Sequence, residues 1–172
     1  NQIKGRGQQG STWESEVGKN LIFSVFVTFK SLSILDKKYL NYAVSLAVFE
    51  VLKQENIPRI TIKWPNDILS ANKKIGGILI ENSLKGTKIS SAVIGIGLNV
   101  NQTSFSSSLE KASSLKLSSN RTFDLEQLLI GMVVSLKSKI TLLNAKAFES
   151  IETSYLKVLY KKNIPTMFKD SN

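Results

Sequence analysis

Three glycines lie close together near the start of the chain, in Gly5-Arg6-Gly7-Gln8-Gln9-Gly10, and Trp13 follows shortly after them. Glycine accepts positive φ and allows a ligand to come close to the backbone. Successive bare N–H groups in such a loop can bind an anion. Arg6 adds a planar cation that suits phosphate or carboxylate. Taken alone, the stretch is more simply interpreted as a surface turn, so its meaning depends on the rest of the chain.

Further along the chain, three other stretches carry residues that an anion site needs. Lys63 precedes the sequence Trp-Pro-Asn-Asp, in which proline and the Asx residues favour a turn. The pair Gly76-Gly77 interrupts one apolar strand pattern, and Gly95 and Gly97 interrupt the next. Glycine inside a strand indicates a bulge or a close approach by a ligand or backbone. Two successive strands with this property predict one shared site.

The composition limits the chemistry that this site can perform. The 172 residues are 42% hydrophobic and include neither cysteine nor histidine, which excludes thiol chemistry and the commonest general base and metal ligand. Catalysis must then use Lys, Arg, carboxylates, amides, backbone groups and bound ions. The net charge of +10 favours polyanionic ligands. The lysines are scattered, however, which is more typical of a basic surface than of a nucleic-acid recognition stripe.

The hydrophobic patterns predict an α+β domain with a mixed or largely antiparallel sheet and helices packed on one face. Strands are expected over 20–29, 59–64, 75–82 and 89–101, and helices over 37–55, 124–143 and 145–160. Residues 1–4 should end a strand, and 102–122 should form a loop with a short helix. No apolar run is long enough to span a membrane and no secretory signal is present, which predicts the cytoplasm. Both ends look cut, so we expect a piece of a longer protein.

In their order and spacing, the four stretches resemble the catalytic domain of biotin protein ligases over about residues 1–165. The resemblance implies a catalytic domain over 1–165 that lacks its first strands, and the start of a small C-terminal β-barrel domain at 166–172. It also implies an adenylate-forming ligase. Such an enzyme uses ATP to form biotinyl-5′-AMP and then transfers biotin to a lysine of a biotin carboxyl-carrier protein. This chemistry depends on positioning and electrostatics, which a chain without histidine and cysteine can provide.

The resemblance assigns roles to particular residues. Lys63 and Arg6 are expected to be catalytic, on the biotin carboxylate and the phosphate oxygens. Asn66 and Asn99 are expected either on the nucleotide side or as turn-holding residues. Trp13 either covers the ligand or anchors the loop. The expected biotin and adenylate site consists of Gln2, Gly5, Arg6, Gly7, Gln8, Trp13, Lys63, Gly76, Gly77, Gly95 and Gly97.

Three side chains beside these are interpreted separately. Trp64 is expected in the core. Asp67 is expected mainly to hold its turn, with orientation of Mg²⁺ or of the incoming lysine as the alternative. Many family members carry an arginine where this chain has Gln8, and the lost charge predicts weaker retention of the adenylate.

The expected cofactors are ATP and Mg²⁺, with Mg²⁺ entering with the nucleotide and no dedicated protein ligands, and biotin is the substrate. The carrier domain is expected to be acidic, and no membrane partner is expected. DNA binding would require an unseen N-terminal helix-turn-helix domain. A homodimer is left open, with the edge of the 89–101 strand as its interface. The alternatives are a lipoate or octanoate ligase of the same superfamily and, from another class, a basic nucleic-acid-binding module.

Overall fold

The computed structural model describes residues 5–165, and these fold into one antiparallel sheet with helices on one face. Gln2 therefore lies outside the described residues, as does the expected start of a second domain at 166–172. The elements are β1 Gly5–Arg6, β2 Thr12–Trp13, β3 Leu21–Ser33, α1 Lys37–Gln54, β4 Ile60–Lys63, β5 Asp67–Ser70, β6 Lys73–Lys85, β7 Lys88–Leu98, α2 Leu115–Ser119, α3 Leu125–Asn144 and α4 Phe148–Lys157.

Five strands form the main sheet in the order β3-β7-β6-β5-β4, and each neighbouring pair is antiparallel. The short hairpin of β1 and β2 stands apart from it. The predicted α+β class is confirmed. The expectation of an exposed edge on the 89–101 strand was wrong, because β3 and β6 pair with β7 on both sides.

The open side of β4 is covered by the chain that follows α4. The Ile62 amide donates to the Val158 carbonyl at 2.9 Å, and the Tyr160 amide donates to the Ile62 carbonyl at 2.8 Å. This contact is parallel, through a single bridge between Ile62 and Leu159. The end of the helical layer is therefore tied to the sheet by main-chain hydrogen bonds.

The core lies between the sheet and the helices. Strand side chains such as Ile62, Ile68 and Ile94 are fully buried, because alternate residues of a strand face the same side. α1 presents to them the apolar stripe that its helical spacing predicts, Leu40, Ala43, Val44, Ala47, Val48, Val51 and Leu52. α3 packs beside α1 through Leu128, Met132 and Leu136.

The helix ends follow local side-chain chemistry. Asp124 Oδ1 accepts from the amides of Glu126 at 2.8 Å and Gln127 at 3.1 Å, which satisfies two donors at the start of α3. The expected helix over 145–160 is shorter, because Lys146 takes a positive φ of 56° and α4 begins only at Phe148. Within 5–165, no helix combines the length and apolarity that a membrane span requires.

Candidate active site

A single cross-strand row defines the site on the sheet face opposite the helices. The register pairs Ile22 with Gly97, Gly97 with Gly77, Gly77 with Asp67, and Asp67 with Lys63. Residues paired in this way project from the same face of a sheet. Two of the five have no side chain, so the row forms a depression at its centre.

A cleft of about 570 Å³ lies over this row, between the β1–β2 hairpin, the turn after β4 and the sheet. Most of the predicted site residues are brought together there. Those that line the cleft are Arg6, Gly7, Gln8, Trp13, Asn66, Gly77, Gly95 and Gly97.

The glycine-rich stretch forms a closed hairpin at the side of the cleft. Gly5 pairs with Trp13 and Arg6 pairs with Thr12, and the Gly7 amide donates to the Ser11 carbonyl at 2.7 Å. A Cβ on Gly7 would clash with the Ser11 hydroxyl oxygen and lie 3.2 Å from the Ser11 carbonyl oxygen, so a side chain there would require the Ser11 hydroxyl to rotate away. Arg6 is exposed at the cleft and has no ion pair within residues 5–165. Its guanidinium is therefore available to a ligand.

Trp13 packs directly onto the two glycines of the row. A Cβ on Gly97 would lie 2.7 Å from Trp13 Cε2, and one on Gly77 would lie 3.2 Å from Cζ3. We call Gly77 and Gly97 the glycine notch. In this structure the indole anchors the hairpin to the sheet, and its predicted covering of a bound ligand stays a prediction. Its Nε1 is buried and has no hydrogen-bond partner in the part of the chain that the structure describes.

The lysine beside the notch is Lys74, which the sequence reasoning missed. Its Nζ lies 2.6 Å from Asp67 Oδ1 and 5.9 Å from the centroid of the Trp13 ring. The side chains of Lys74 and Asp67 are 39% and 20% exposed, so solvent reaches the pair from the cleft. Asp67 therefore has an ion-pair role in addition to its place in the turn.

Lys63 lies on the same sheet face as Asp67 but is exposed at the end of β4 and does not line the cleft. The register explains why Lys74 lies there instead. Strict alternation from Gly77 would turn Lys74 toward the core, but a bulge shifts the β5–β6 pairing and sets Lys74 opposite Leu69. The available signal was that Lys74 directly precedes the Ile-Gly-Gly stretch.

Three other predicted residues lie outside the cleft. Gly76 faces the helix side, where a Cβ would lie 3.2 Å from Leu98 Cδ1. Gly5 is buried in the hairpin. Asn99 is 5% exposed, and its Nδ2 donates to the Ser113 carbonyl at 3.0 Å. Asn99 thus holds the chain after β7 in this structure, and its place on the nucleotide side stays a prediction.

The turn after β4 forms another wall of the cleft. Asn66 Nδ2 donates to the Ile78 carbonyl at 3.2 Å, and the Asn66 carbonyl accepts from the Ile78 amide at 3.0 Å. Asn66 therefore fastens the turn to β6 while it lines the cleft. The expectation that Trp64 packs in the core was wrong. The strand ends at Lys63 and the turn carries the Trp64 side chain outward, 66% exposed.

The charges in the cleft suit an anionic ligand. Arg6 and Lys74 supply positive charge, and Asp67 and Glu81 are the acidic residues that line it. Within the described residues, no three Asp or Glu side chains come together that could hold a metal ion without a ligand's help. The arrangement can bind a phosphate or carboxylate and neutralise charge that develops on it.

Comparison with known proteins identifies the family. The model of the Biotin/lipoate A/B protein ligase family matches residues 1–99. The chain belongs to this family. The Bacillus subtilis bifunctional ligase/repressor BirA is 34% identical over 101 residues, which are 59% of this chain and 31% of that protein. Biotin–protein ligase 2 of Arabidopsis thaliana is 29% identical over 160 residues, which are 90% of this chain and 47% of that protein.

Solved structures of this family share the fold. The Aquifex aeolicus biotin protein ligase in complex with biotin and ATP matches with a TM-score of 0.77 and 26% identity, over 90% of this chain and 64% of that one. The Leishmania major enzyme in complex with biotinyl-5-AMP matches with a TM-score of 0.70 and 25% identity, over 99% and 72%. The resemblance to biotin protein ligases is confirmed. The chain spans about a third of the length of the BirA relatives that it matches.

Proposed function

We propose that the protein activates biotin with ATP as biotinyl-5′-AMP and transfers biotin to a lysine of a biotin carboxyl-carrier protein. The observation that carries the proposal is the cleft that places Arg6 and Lys74 beside the glycine notch. Membership of the family supports the reaction class. The solved Aquifex aeolicus relative, which binds biotin and ATP, supports the two substrates.

In the first step, a biotin carboxylate oxygen attacks the α-phosphorus of ATP. A carboxyl–phosphate bond forms as the bond between the α-phosphorus and its bridging oxygen breaks, and pyrophosphate leaves. Both reactants are anions, so cations must offset their repulsion at the transition state. Arg6 and Lys74 line the cleft and can supply this charge, and Lys63, at the end of β4, keeps its predicted role on the carboxylate and phosphate oxygens. Asp67 holds Lys74 until the ligand anion competes for it.

Mg²⁺ is expected with the nucleotide. It prefers oxygen ligands and in nucleotide sites is held by substrate phosphates with one or two carboxylates. Asp67 and Glu81 are the carboxylates that line the cleft. Glu81 lies four residues along β6 from Gly77, the register partner of Asp67, so one ion on the phosphates would be held by only one of them. Its contribution when bound is to reduce the negative charge of the phosphates.

In the second step, the amine of the carrier lysine attacks the acyl carbon, an amide bond forms, and AMP leaves. The amine must lose a proton, and Asp67 and Glu81 are the cleft carboxylates that can accept it. Water would hydrolyse the mixed anhydride, so the hairpin of residues 5–13 must cover it. That hairpin already borders the cleft in the structure.

The test compares two lysines in the protein with labelled biotin, ATP, Mg²⁺ and a carrier domain. Lys74→Met keeps the apolar stem and removes the charge, and we expect adenylate formation to fall roughly 10²- to 10³-fold. Lys63→Met is the parallel variant, and the role predicted for Lys63 implies a comparable fall in adenylate formation. A wild-type protein that forms no adenylate would refute the function. Loss in Lys63→Met alone would show that Lys74 is not needed to neutralise the reacting anions.

The remaining assignments stay predictions. Lipoate remains the alternative substrate because the family includes lipoate ligases, and competition between biotin and lipoate separates the two. Gln8 lines the cleft without charge, so weak retention of the adenylate is still expected. The acidic carrier, a homodimer, DNA binding through a further domain, the division at residue 165 and the cytoplasmic location all stay predictions. The basic nucleic-acid module predicts salt-dependent DNA binding without biotin.

A further inference from the structure

Residues 14–20 join the hairpin of residues 5–13 to β3, and we call this segment the linker. Packing holds it only weakly, since Val17 is 67% exposed and its neighbours on both sides are also exposed. Within residues 5–165, the hydrogen bonds that reach the linker from outside it come from residues 100–102, just after β7. Polar contacts to that short stretch therefore set where the linker lies.

Gln102 makes the contact that lies nearest to the hairpin. Its Oε1 accepts from the Glu16 amide at 3.1 Å and from Asn20 Nδ2 at 2.5 Å. Its Nε2 donates to the Ser104 carbonyl at 2.7 Å. The side chain is 6% exposed, and an amide oxygen accepts two hydrogen bonds. Both acceptor positions of this buried oxygen are therefore used on the linker.

The bond to Glu16 determines how much free chain lies behind the hairpin. With this bond, only Glu14 and Ser15 separate Trp13 from a fixed backbone position. Without it, the next main-chain group of the linker that is held from outside is the Lys19 carbonyl, which accepts from the Asn101 amide at 2.7 Å. The free chain behind the hairpin would then extend over 14–18.

A contact inside the linker does not replace this bond. Asn20 Nδ2 also reaches Ser15 Oγ, at 3.3 Å. That partner is a hydroxyl that can rotate, so the contact does not fix the linker backbone. Asn20 is itself oriented in part by Gln102. Removal of the Gln102 amide should therefore loosen both.

We propose that Gln102 is a positioning residue that fixes the pivot of the hairpin at Glu16. The inference rests on the proposed function, in which the hairpin covers the mixed anhydride. The entropy cost of closing a flexible segment grows with the logarithm of its length. Lengthening the free chain from 14–15 to 14–18 should lower the ratio of docked to undocked hairpin roughly fourfold.

Two other roles for Gln102 compete with this one. A direct contact with the ligand is disfavoured because Gln102 does not line the cleft. A role confined to the serine-rich region would depend on the bond to Ser104. Since two of the three hydrogen bonds of Gln102 go to the linker, the geometry favours action through the hairpin.

The first experiment follows hydrogen exchange at the Trp13 indole by NMR and needs no ligand. Trp13 Nε1 is buried, so its hydrogen exchanges with solvent when the hairpin leaves the glycine notch. Gln102→Met keeps the length of the side chain and removes the amide. We expect roughly fourfold faster exchange at Trp13 Nε1 in this variant. An unchanged exchange rate would refute the pivot.

Asn101→Leu is the matched control. The Asn101 side chain lies next to Gln102 in the sequence and also makes two hydrogen bonds, to the Phe123 carbonyl at 2.8 Å and from the Phe123 amide at 3.0 Å. The bond from its main-chain amide to Lys19 is kept. We expect lower thermal stability with unchanged exchange at Trp13 Nε1. Equal acceleration in both variants would overturn the proposal, because it would reflect a general loosening of the fold.

The second experiment measures the release of labelled biotinyl-5′-AMP in a double-mutant cycle between Gln102→Met and Trp13→Ala. If Gln102 acts through the hairpin, Gln102→Met accelerates release roughly fourfold when Trp13 is present and has little further effect when it is absent. Equal acceleration in both backgrounds would overturn the proposal in favour of direct contact with the ligand. If the wild-type protein formed no adenylate, the proposed function would fail, and indole exchange would then decide the pivot alone.

Discussion

Gly97→Ala should release Trp13 from the glycine notch. The added Cβ would lie 2.7, 2.9 and 3.1 Å from three indole carbons, Cε2, Cζ2 and Cδ2. Carbon atoms pack at roughly 3.5–4.0 Å, so the indole must move back by about 1 Å or leave. Overpacking of this kind costs about 1–3 kcal/mol. The ratio of docked to undocked hairpin should therefore fall roughly 5- to 150-fold.

Two polar contributions to the docked state oppose each other. Trp13 Nε1 is buried without a partner in the described region, which costs about 1–3 kcal/mol. The cation–π contact with Lys74, at 5.9 Å, returns only about 0.5–1 kcal/mol at a solvent-accessible site. A further penalty from Gly97→Ala is therefore expected to undock the hairpin in a measurable fraction of molecules.

Tryptophan fluorescence measures this directly. The chain has two tryptophans, so Trp64→Phe leaves Trp13 as the only reporter. Gly97→Ala should shift its emission to the red and increase quenching by acrylamide. Gly95→Ala is the control, because a Cβ there would meet its nearest neighbour, the Leu79 carbonyl oxygen, at an ordinary 3.5 Å. Identical emission and quenching in the two alanine variants would refute the notch. The assay needs no ligand, so it is independent of the proposed function.

Two further predictions concern stability. Tyr155→Phe should raise the free energy of unfolding by about 1 kcal/mol, because the buried hydroxyl has no hydrogen-bond partner among the described residues while the ring still stacks on Tyr42. Burial, and to a lesser extent Tyr42, raises the pKa of Tyr155 above its usual 10. Because the tyrosine ionises more easily in the unfolded chain, the free energy of unfolding of the wild type should fall above about pH 10. In urea titrations the phenylalanine variant should lose less of its stability over the same pH range. Asp124→Ala removes the cap of α3 and should cost about 1 kcal/mol in the same titrations, whereas an unchanged midpoint would mean that water replaces the cap.

Periodicity in the sequence predicted the elements well because the sheet has a buried face and an open face. α1 ends one residue from its predicted boundary, since its apolar stripe and the turn at Pro58 both mark it. The strand over 89–101 was predicted, but not its central place in the sheet. The position of a strand in the sheet depends on which strands pair with it, and β3 lies far from β7 in the sequence. A local sequence pattern carries no information on such pairing.

The sequence identified most residues of the candidate site but not how they are arranged in space. The glycines at 77, 95 and 97 and the loop at 5–10 were identified because the four stretches occur together in one order and spacing. Lys74 was missed because a bulge in the β5–β6 pairing decides which sheet face its side chain occupies. The alternation of apolar and polar residues in the sequence does not reveal that bulge. Trp64 was placed in the core from its apolar character alone, while its position one residue beyond β4 turns it outward.

The main-chain bonds between Ile62 and residues 158–160 also affect how the protein behaves in solution. An uncovered strand edge is a template for pairing with other chains. Here the backbone after α4 occupies part of that edge. A version of the chain cut at the end of α4 would keep its helices and its cleft but expose the β4 edge. Such a version should aggregate through edge-to-edge pairing. Residues 158–160 are therefore expected to prevent self-association by occupying the hydrogen-bonding groups of the β4 edge.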